Sequence, residues 1–138
     1  MKLTISQKIL AFIIFVIVLF PFVVFYLLNF GYPYINLLAN YYVPKHLEAL
    51  GYDDEDMLEA HYIEPKMIIN NDFHHGHYMV IFKDEPDMTY YYGVTKKGKD
   101  VFQFCEKDYL DARGTTNIVD SAGQYSDEIC VSMYENRD

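Results

Sequence analysis

Residues 9–30 read ILAFIIFVIVLFPFVVFYLLNF, and this stretch decides the architecture of the chain. It contains no charged side chain. A helix over this stretch rises about 1.5 Å per residue, which makes it about as long as the roughly 30 Å hydrocarbon core of a bilayer is thick. Lipid offers the backbone no hydrogen-bond partners, so the stretch is expected to cross a membrane as an α-helix, with a kink tolerated at Pro21.

A cleaved signal peptide is the alternative interpretation of this segment. The apolar region of a signal peptide usually has about 7 to 15 residues and ends at a cleavage site of small residues. Here the apolar run is longer, and bulky residues follow it at Tyr32, Pro33, Tyr34 and Ile35. These features favour a retained anchor that contacts membrane lipid.

The positive charges around the apolar stretch predict its orientation. Lys2, Lys8 and the terminal amine precede it, whereas the first positive side chain after it is Lys45. An excess of nearby cations marks the cytoplasmic side of a span. We therefore expect a single-pass protein of the cell membrane with a cytoplasmic N-terminus at residues 1–8, a transmembrane helix at residues 9–30 and an extracytoplasmic remainder.

The predicted outer part is strongly acidic. The chain has a formal charge of -9, with 11 basic and 20 acidic side chains, and only Lys2 and Lys8 of these precede the outer part, which leaves it a charge of -11. Such a surface repels phosphate groups, so nucleic acid is not expected as a partner. A charged partner is expected to be a cation, a basic peptide or a basic protein patch, although solubility alone also explains the charge.

A helix is predicted directly after the membrane segment. Pro33 is expected to begin it, Pro44 to kink or divide it, and Gly51 to cap its end. Six apolar residues recur at near-helical spacing and predict an amphipathic helix that packs on the next element; they are Leu37, Leu38, Tyr41, Tyr42, Leu47 and Leu50.

Four β-rich segments follow, at residues 57–69 with a break at Pro65, 77–83, 89–94 and 100–106. Turn signals separate them, including Glu85, Pro86 and Asp87 before the third segment. Short connections favour antiparallel neighbours. On the second segment, Tyr78, Val80 and Phe82 are expected to face inward. We therefore predict an α+β domain at residues 31–108, in which the helix packs on a four-stranded antiparallel meander. Residues 109–138 are predicted to form an irregular C-terminal tail.

Three stretches of the chain resemble a known family. They read VPKHLEALGYDDEDMLEAHY from residue 43, HYMVIFKDEPDMTYYYGV from residue 77 and KKGKDVFQFC from residue 96. Together with the basic start and the apolar helix, they are similar to a family of small membrane-anchored proteins of Gram-positive bacteria known only as a domain of unknown function. The resemblance extends over about residues 2–108 and implies an extracytoplasmic single-span protein, with no established activity.

Cys105 and Cys130 are the only cysteines, and both lie in the predicted outer part. Thiols are not held reduced outside the cytosol, so we predict a disulfide that joins the tail to the fourth strand. Two independent thiols are the alternative. The chain has no C-x-x-C spacing, which argues against a metal or redox pair.

Three histidines in a glycine-containing turn are the candidate metal ligands. His74, His75 and His77 lie beside Asp72, and imidazoles at this spacing can converge on a transition metal. Their spacing lacks the specificity of a zinc-protease helix or a zinc finger, and as polar residues of an exposed turn they need no ligand. The acidic run at residues 53–56 lacks the pattern of a calcium-binding loop and fits a solvated turn or helix cap.

The sequence carries none of the common catalytic motifs. It has no G-x-S-x-G, no H-E-x-x-H, no phosphate-binding glycine loop and no dinucleotide fingerprint, so we expect neither an enzyme nor a bound cofactor. The preferred hypothesis is an extracytoplasmic binding module that meets a peptide or protein through its sheet, with a ring of the Tyr90–Tyr92 run exposed. The alternatives are an immunity or inhibitor protein against a secreted toxin, and a metal-binding ectodomain.

Overall fold

The structure is a computed structural model that describes residues 4–138. Two helices come first and six strands follow. They are α1 Ile5–Phe30, α2 Pro33–Ala49, β1 Met57–Ile63, β2 His77–Phe82, β3 Glu85–Val94, β4 Val101–Gln103, β5 Lys107–Leu110 and β6 Thr116–Val119. The fold is therefore α+β, with a long N-terminal apolar helix and an antiparallel sheet, as predicted.

Helix α1 begins and ends with defined caps. The Thr4 side chain accepts a hydrogen bond from the Gln7 backbone, and the Gln7 side chain accepts one from the Thr4 backbone, which forms a capping box. At the other end the Gly31 N–H donates to the Leu27 carbonyl, at a φ of 71° that favours glycine. The helix is long and apolar enough to cross a membrane. Lys2, part of the predicted orientation, lies outside the described residues.

Helix α2 begins at Pro33 as predicted and contains Pro44 within it. It buries four residues near the i, i+4 row of one helix face, namely Leu38, Ala39, Val43 and Leu47. The predicted apolar stripe was too wide, because Leu37, Tyr41 and Leu50 are exposed. Only this narrow row of residues is buried against the sheet, and the wider set of apolar residues that we predicted is not.

The sheet has six strands, and the prediction of a four-stranded meander was wrong in this respect. Its order is β1-β2-β3-β5-β6, and β4 pairs with β3 as well. Strands β4 and β5 pair with different parts of β3, since Val101 lies opposite Val94 and Asp108 lies opposite Thr89. The predicted fourth strand is interrupted before β5, so β3 accommodates two partners along its ten residues.

Part of the predicted irregular tail is a β-hairpin. Asp111 accepts hydrogen bonds from the backbone N–H groups of Arg113 and Thr115 at 2.9 Å each, and Gly114 takes a positive φ of 78°. This turn connects β5 to β6. The predicted turn at Glu85–Asp87 was also wrong, because β3 already begins at Glu85 and pairs with Phe82.

The two faces of the sheet are covered by different parts of the chain. Helix α2 covers one face, where the predicted inward set of Tyr78, Val80 and Phe82 is buried with Tyr90 and Tyr92. The other face packs against the segments after β1 and β6. There the buried cluster contains Ile69, Phe73, Phe104 and Met133. A cleft lies on this second face.

Candidate functional site

The cleft is a cavity of about 210 Å³ on the sheet face opposite α2. Its walls are mainly apolar and come from distant parts of the chain, namely Ile63, Pro65, Met67, Ile118 and Met133. The polar groups of the cleft are His77, Tyr91, Glu106 and Asp108. An apolar hollow with a few convergent polar groups is the usual form of a ligand site.

Tyr91 reaches the cleft because of strand alternation. Successive side chains of a strand point to opposite faces, so Tyr90 and Tyr92 are buried beneath α2 while Tyr91 is half-buried on the other face. The Tyr91 hydroxyl donates to Oδ2 of Asp108 at 2.6 Å. Burial and this carboxylate raise the pKa of Tyr91 above its ordinary value, which keeps the phenol protonated.

Glu106 is a buried carboxylate in the same cleft, with 5% of its surface exposed. It accepts hydrogen bonds from the Ser132 hydroxyl at 2.5 Å and from the Met133 backbone N–H at 2.8 Å. The C-terminal segment thus supplies the donors that this carboxylate needs. Asp108 and Glu106 together give the cleft acidic character.

His77 forms part of the cleft wall and is 5% exposed. Its ring packs beside those of Tyr91 and Phe104, with centroids 5.5 Å and 5.1 Å away. Its Nε2 atom is buried and has no hydrogen-bond partner among residues 4–138. Burial, with a smaller contribution from His75, lowers the pKa of His77 to about 4, so the imidazole is neutral at pH 7.

The structure does not bring the three candidate metal ligands together. Both ring nitrogens of His75 face acceptors, since Nδ1 lies 2.8 Å from Oε1 of Glu64 and Nε2 lies 3.0 Å from the Met67 carbonyl oxygen. The ring of His74 meets Tyr34 edge to face, and His77 lies in the cleft. Across residues 4–138, no group of three or more His, Cys, Asp or Glu side chains is placed to hold a metal ion.

The two cysteines form a disulfide in the structure. Cys105 and Cys130 have Cα atoms 4.9 Å apart and a sequence separation of 25. Near the bond, the Cys105 N–H donates to the Val131 carbonyl, and the Val131 N–H donates to the Gln103 carbonyl, both at 3.1 Å. The disulfide therefore lies beside a backbone bridge that holds the C-terminal segment against the sheet.

Two cleft residues escaped the sequence analysis, namely Glu106 and Asp108. Only the pairing of β3 with β5, which places Asp108 opposite Thr89, brings its carboxylate to Tyr91. The acidic run at residues 53–56 lies elsewhere and forms a turn, in which Asp53 accepts from the Glu55 N–H and Asp56 accepts from the Asp53 N–H.

Comparison with known proteins identifies one family. The model of the family described as "Protein of unknown function (DUF3139)" matches residues 6–92, which is more than half of the chain. The match begins within α1 and ends within β3, so it includes α2 and the first two strands. No curated protein and no solved structure matches the chain.

Proposed function

We propose a function for this chain, which belongs to the DUF3139 family of proteins of unknown function: it is a membrane-anchored extracytoplasmic module that binds a basic peptide or protein segment in the cleft. The resemblance expected from the sequence, to an uncharacterised family, is confirmed by the match.

The anchor is supported by the surface of α1. None of its residues is buried by the rest of the described protein, and large apolar side chains are exposed on all sides of it. In water, each such side chain would forfeit about 1.5–3 kcal/mol of burial free energy. A helix of 26 residues is long enough to place this surface in a hydrocarbon core of about 30 Å.

The ligand class is supported by the chemistry of the cleft. The cleft combines apolar walls with the acidic side chains of Glu106 and Asp108 and with a His77 that is neutral at pH 7. The two oxygens of Glu106 already accept hydrogen bonds from Ser132 and Met133, whereas Oδ2 of Asp108 accepts one from Tyr91. Asp108 therefore retains acceptor capacity for an ammonium or guanidinium group. A basic secreted toxin, the partner expected of an immunity protein, belongs to the same charge class.

The topology is tested by labelling new cysteines in intact cells with a membrane-impermeant maleimide. Ser121→Cys lies on an exposed part of the C-terminal segment and is expected to react in intact cells. Ser6→Cys, at the start of α1, is expected to react only after the cells are permeabilised. The reverse pattern would place the domain in the cytoplasm and overturn the proposed location.

The ligand class is tested with two peptides of equal length, one alternating leucine with lysine and the other alternating leucine with glutamate. The full chain in detergent is expected to bind the lysine peptide more tightly in calorimetry. Asp108→Asn should weaken that binding roughly tenfold, since a hydrogen bond to a charged group contributes about 1.5–3 kcal/mol.

Asp87→Asn is the matched control, because it removes the same charge from an exposed carboxylate that does not line the cleft. It is expected to bind the lysine peptide almost as tightly as the unaltered chain does. Equal losses for Asp87→Asn and Asp108→Asn would show that net charge, and not the cleft, attracts the peptide. Equal binding of the two peptides would exclude a basic ligand.

A further inference from the structure

The loop between β1 and the buried Ile69, which we call the Glu64–Ile68 loop, exposes apolar side chains. Met67 is 48% exposed and Ile68 is 66% exposed. Between them and β1 lies Lys66, which is also exposed. Adjacent apolar side chains that are exposed on a small domain indicate a surface that contacts a membrane or another protein.

Hydrogen bonds from neighbouring side chains hold the loop in this conformation. Tyr62 donates its hydroxyl to Oε2 of Glu64 at 2.5 Å. His75 contacts the other oxygen of Glu64 through Nδ1 and the Met67 carbonyl through Nε2. The Glu64 side chain before Lys66 and the Met67 carbonyl after it are therefore both held in place. Met67 and Ile68 are presented outward from a supported loop.

The loop lies beside the C-terminal end of α1. The two border a common groove of about 690 Å³, which Leu27, Leu28 and Tyr32 line from the helix side and Met67 and Ile68 line from the loop side. In addition, Gly31 lies so close to the Glu64 carboxylate that a Cβ atom at this position would have to displace it. The exposed loop is thus fixed at the level where α1 ends.

We propose that the Glu64–Ile68 loop inserts the side chains of Met67 and Ile68 into the boundary between headgroups and acyl chains of the bilayer that α1 spans. This inference rests on the proposed anchor, because it takes the end of α1 as the level of the membrane surface. Apolar side chains are stabilised at that depth, and the Lys66 ammonium then lies near lipid phosphates. The loop is a second contact with lipid, separate from the helix.

The charge distribution supports lipid as the occupant. The outer part is acidic overall, so anionic headgroups repel it. A loop that combines apolar side chains with a lysine can contact lipid without adding to this repulsion. Aromatic residues that favour the interface, Tyr32 and Tyr34, are exposed in the same region of the chain. Other exposed apolar side chains, such as Ile129, do not line the groove beside α1.

The inference is tested by placing single tryptophans in the full chain, which has none of its own. Ile68→Trp is compared with Phe15→Trp in the middle of α1 and with Ile129→Trp in the C-terminal segment. Each variant is reconstituted in vesicles of phosphatidylcholine and phosphatidylglycerol. The measurements are the emission maximum and quenching by lipids that carry a nitroxide either near the headgroup or deep in the acyl chain.

We expect Ile68→Trp to emit at shorter wavelength than Ile129→Trp and to be quenched by the shallow nitroxide more than by the deep one. Phe15→Trp should be quenched most by the deep nitroxide. If Phe15→Trp is quenched at depth while Ile68→Trp behaves like Ile129→Trp, the loop inference is overturned and the anchor stands. If Phe15→Trp is not quenched by either lipid, the anchor itself fails, and the loop inference fails with it.

Discussion

Replacing both Cys105 and Cys130 with serine is expected to lower the free energy of unfolding of the full chain in detergent by about 3 kcal/mol. The bond spans a sequence separation of 25, and its loss frees the unfolded chain between the two positions. That interval includes β5 and β6, so the unfolded state gains the conformational entropy of the whole hairpin. Denaturant unfolding followed by near-ultraviolet circular dichroism measures the change.

The loss should be concentrated in the C-terminal segment. Hydrogen exchange is expected to become faster in the backbone around Val131 and Met133. The remaining contacts of this backbone with the sheet are the bridge beside Cys105 and the hydrogen bond to Glu106. Adding a reductant to the unaltered chain serves as the control and should reproduce the destabilisation. Two reactive thiols in the unreduced, denatured protein would contradict the disulfide.

The second large effect is a loss of stability in acid that arises from His77. Burial lowers the pKa of His77 from an ordinary 6.5 to about 4. Between pH 6.5 and pH 4, His77 therefore binds a proton in the unfolded chain but not in the folded chain. This contribution to stability is fully present above pH 6.5 and is lost as the pH falls towards 4. The loss reaches about 3 kcal/mol at pH 4.

His77→Phe isolates this contribution from those of the other titrating groups. Phenylalanine keeps an aromatic ring against Tyr91 and Phe104 and has no nitrogen to protonate. The free energy of unfolding should be measured for both proteins between pH 4 and pH 7.5. The difference between them is expected to change steadily below pH 6.5, to the disadvantage of the unaltered chain. A difference that does not vary with pH would show that His77 titrates normally in the folded protein.

Local sequence patterns predicted most of the individual elements. The apolar run produced α1, Pro33 began α2, and strand alternation placed Tyr78, Val80 and Phe82 in the core. Each of these depends on residues that are close in sequence. The helix stripe was overestimated because periodicity counts apolar residues on a face, whereas only the row that meets the sheet is buried.

The C-terminal part was missed because long-range contacts order it. Its segments are held by partners far along the chain, as in the 2.8 Å hydrogen bond from the Asn70 N–H to the Met133 carbonyl. The Tyr125 ring stacks on Phe82 with centroids 3.8 Å apart. Gln103 is fully buried and donates to the Tyr92 hydroxyl and to the Tyr125 carbonyl. None of these partners has a signature in the local sequence.

The cleft was equally inaccessible to sequence analysis. The three histidines looked like one cluster because they are neighbours in the chain, yet His77 begins β2 and joins the sheet while His75 stays in the preceding loop. Asp108 meets Tyr91 only through the pairing of β3 with β5. Strand register, which depends on pairing between separate parts of the chain, decides which side chains share a site.

The junction between α1 and α2 is short, and Gly31 occupies half of it. Only Gly31 and Tyr32 separate the two helices, and a side chain at Gly31 would have to displace the Glu64 carboxylate and adopt a φ of 71°. Removing one residue from α1 would turn everything after it by about 100° around the helix axis, because no linker is available to absorb the rotation. The cleft would then lie on a different side of the α1 axis. The length of α1 therefore determines which face of the helix the cleft shares, and not only how far the domain stands from the start of the chain.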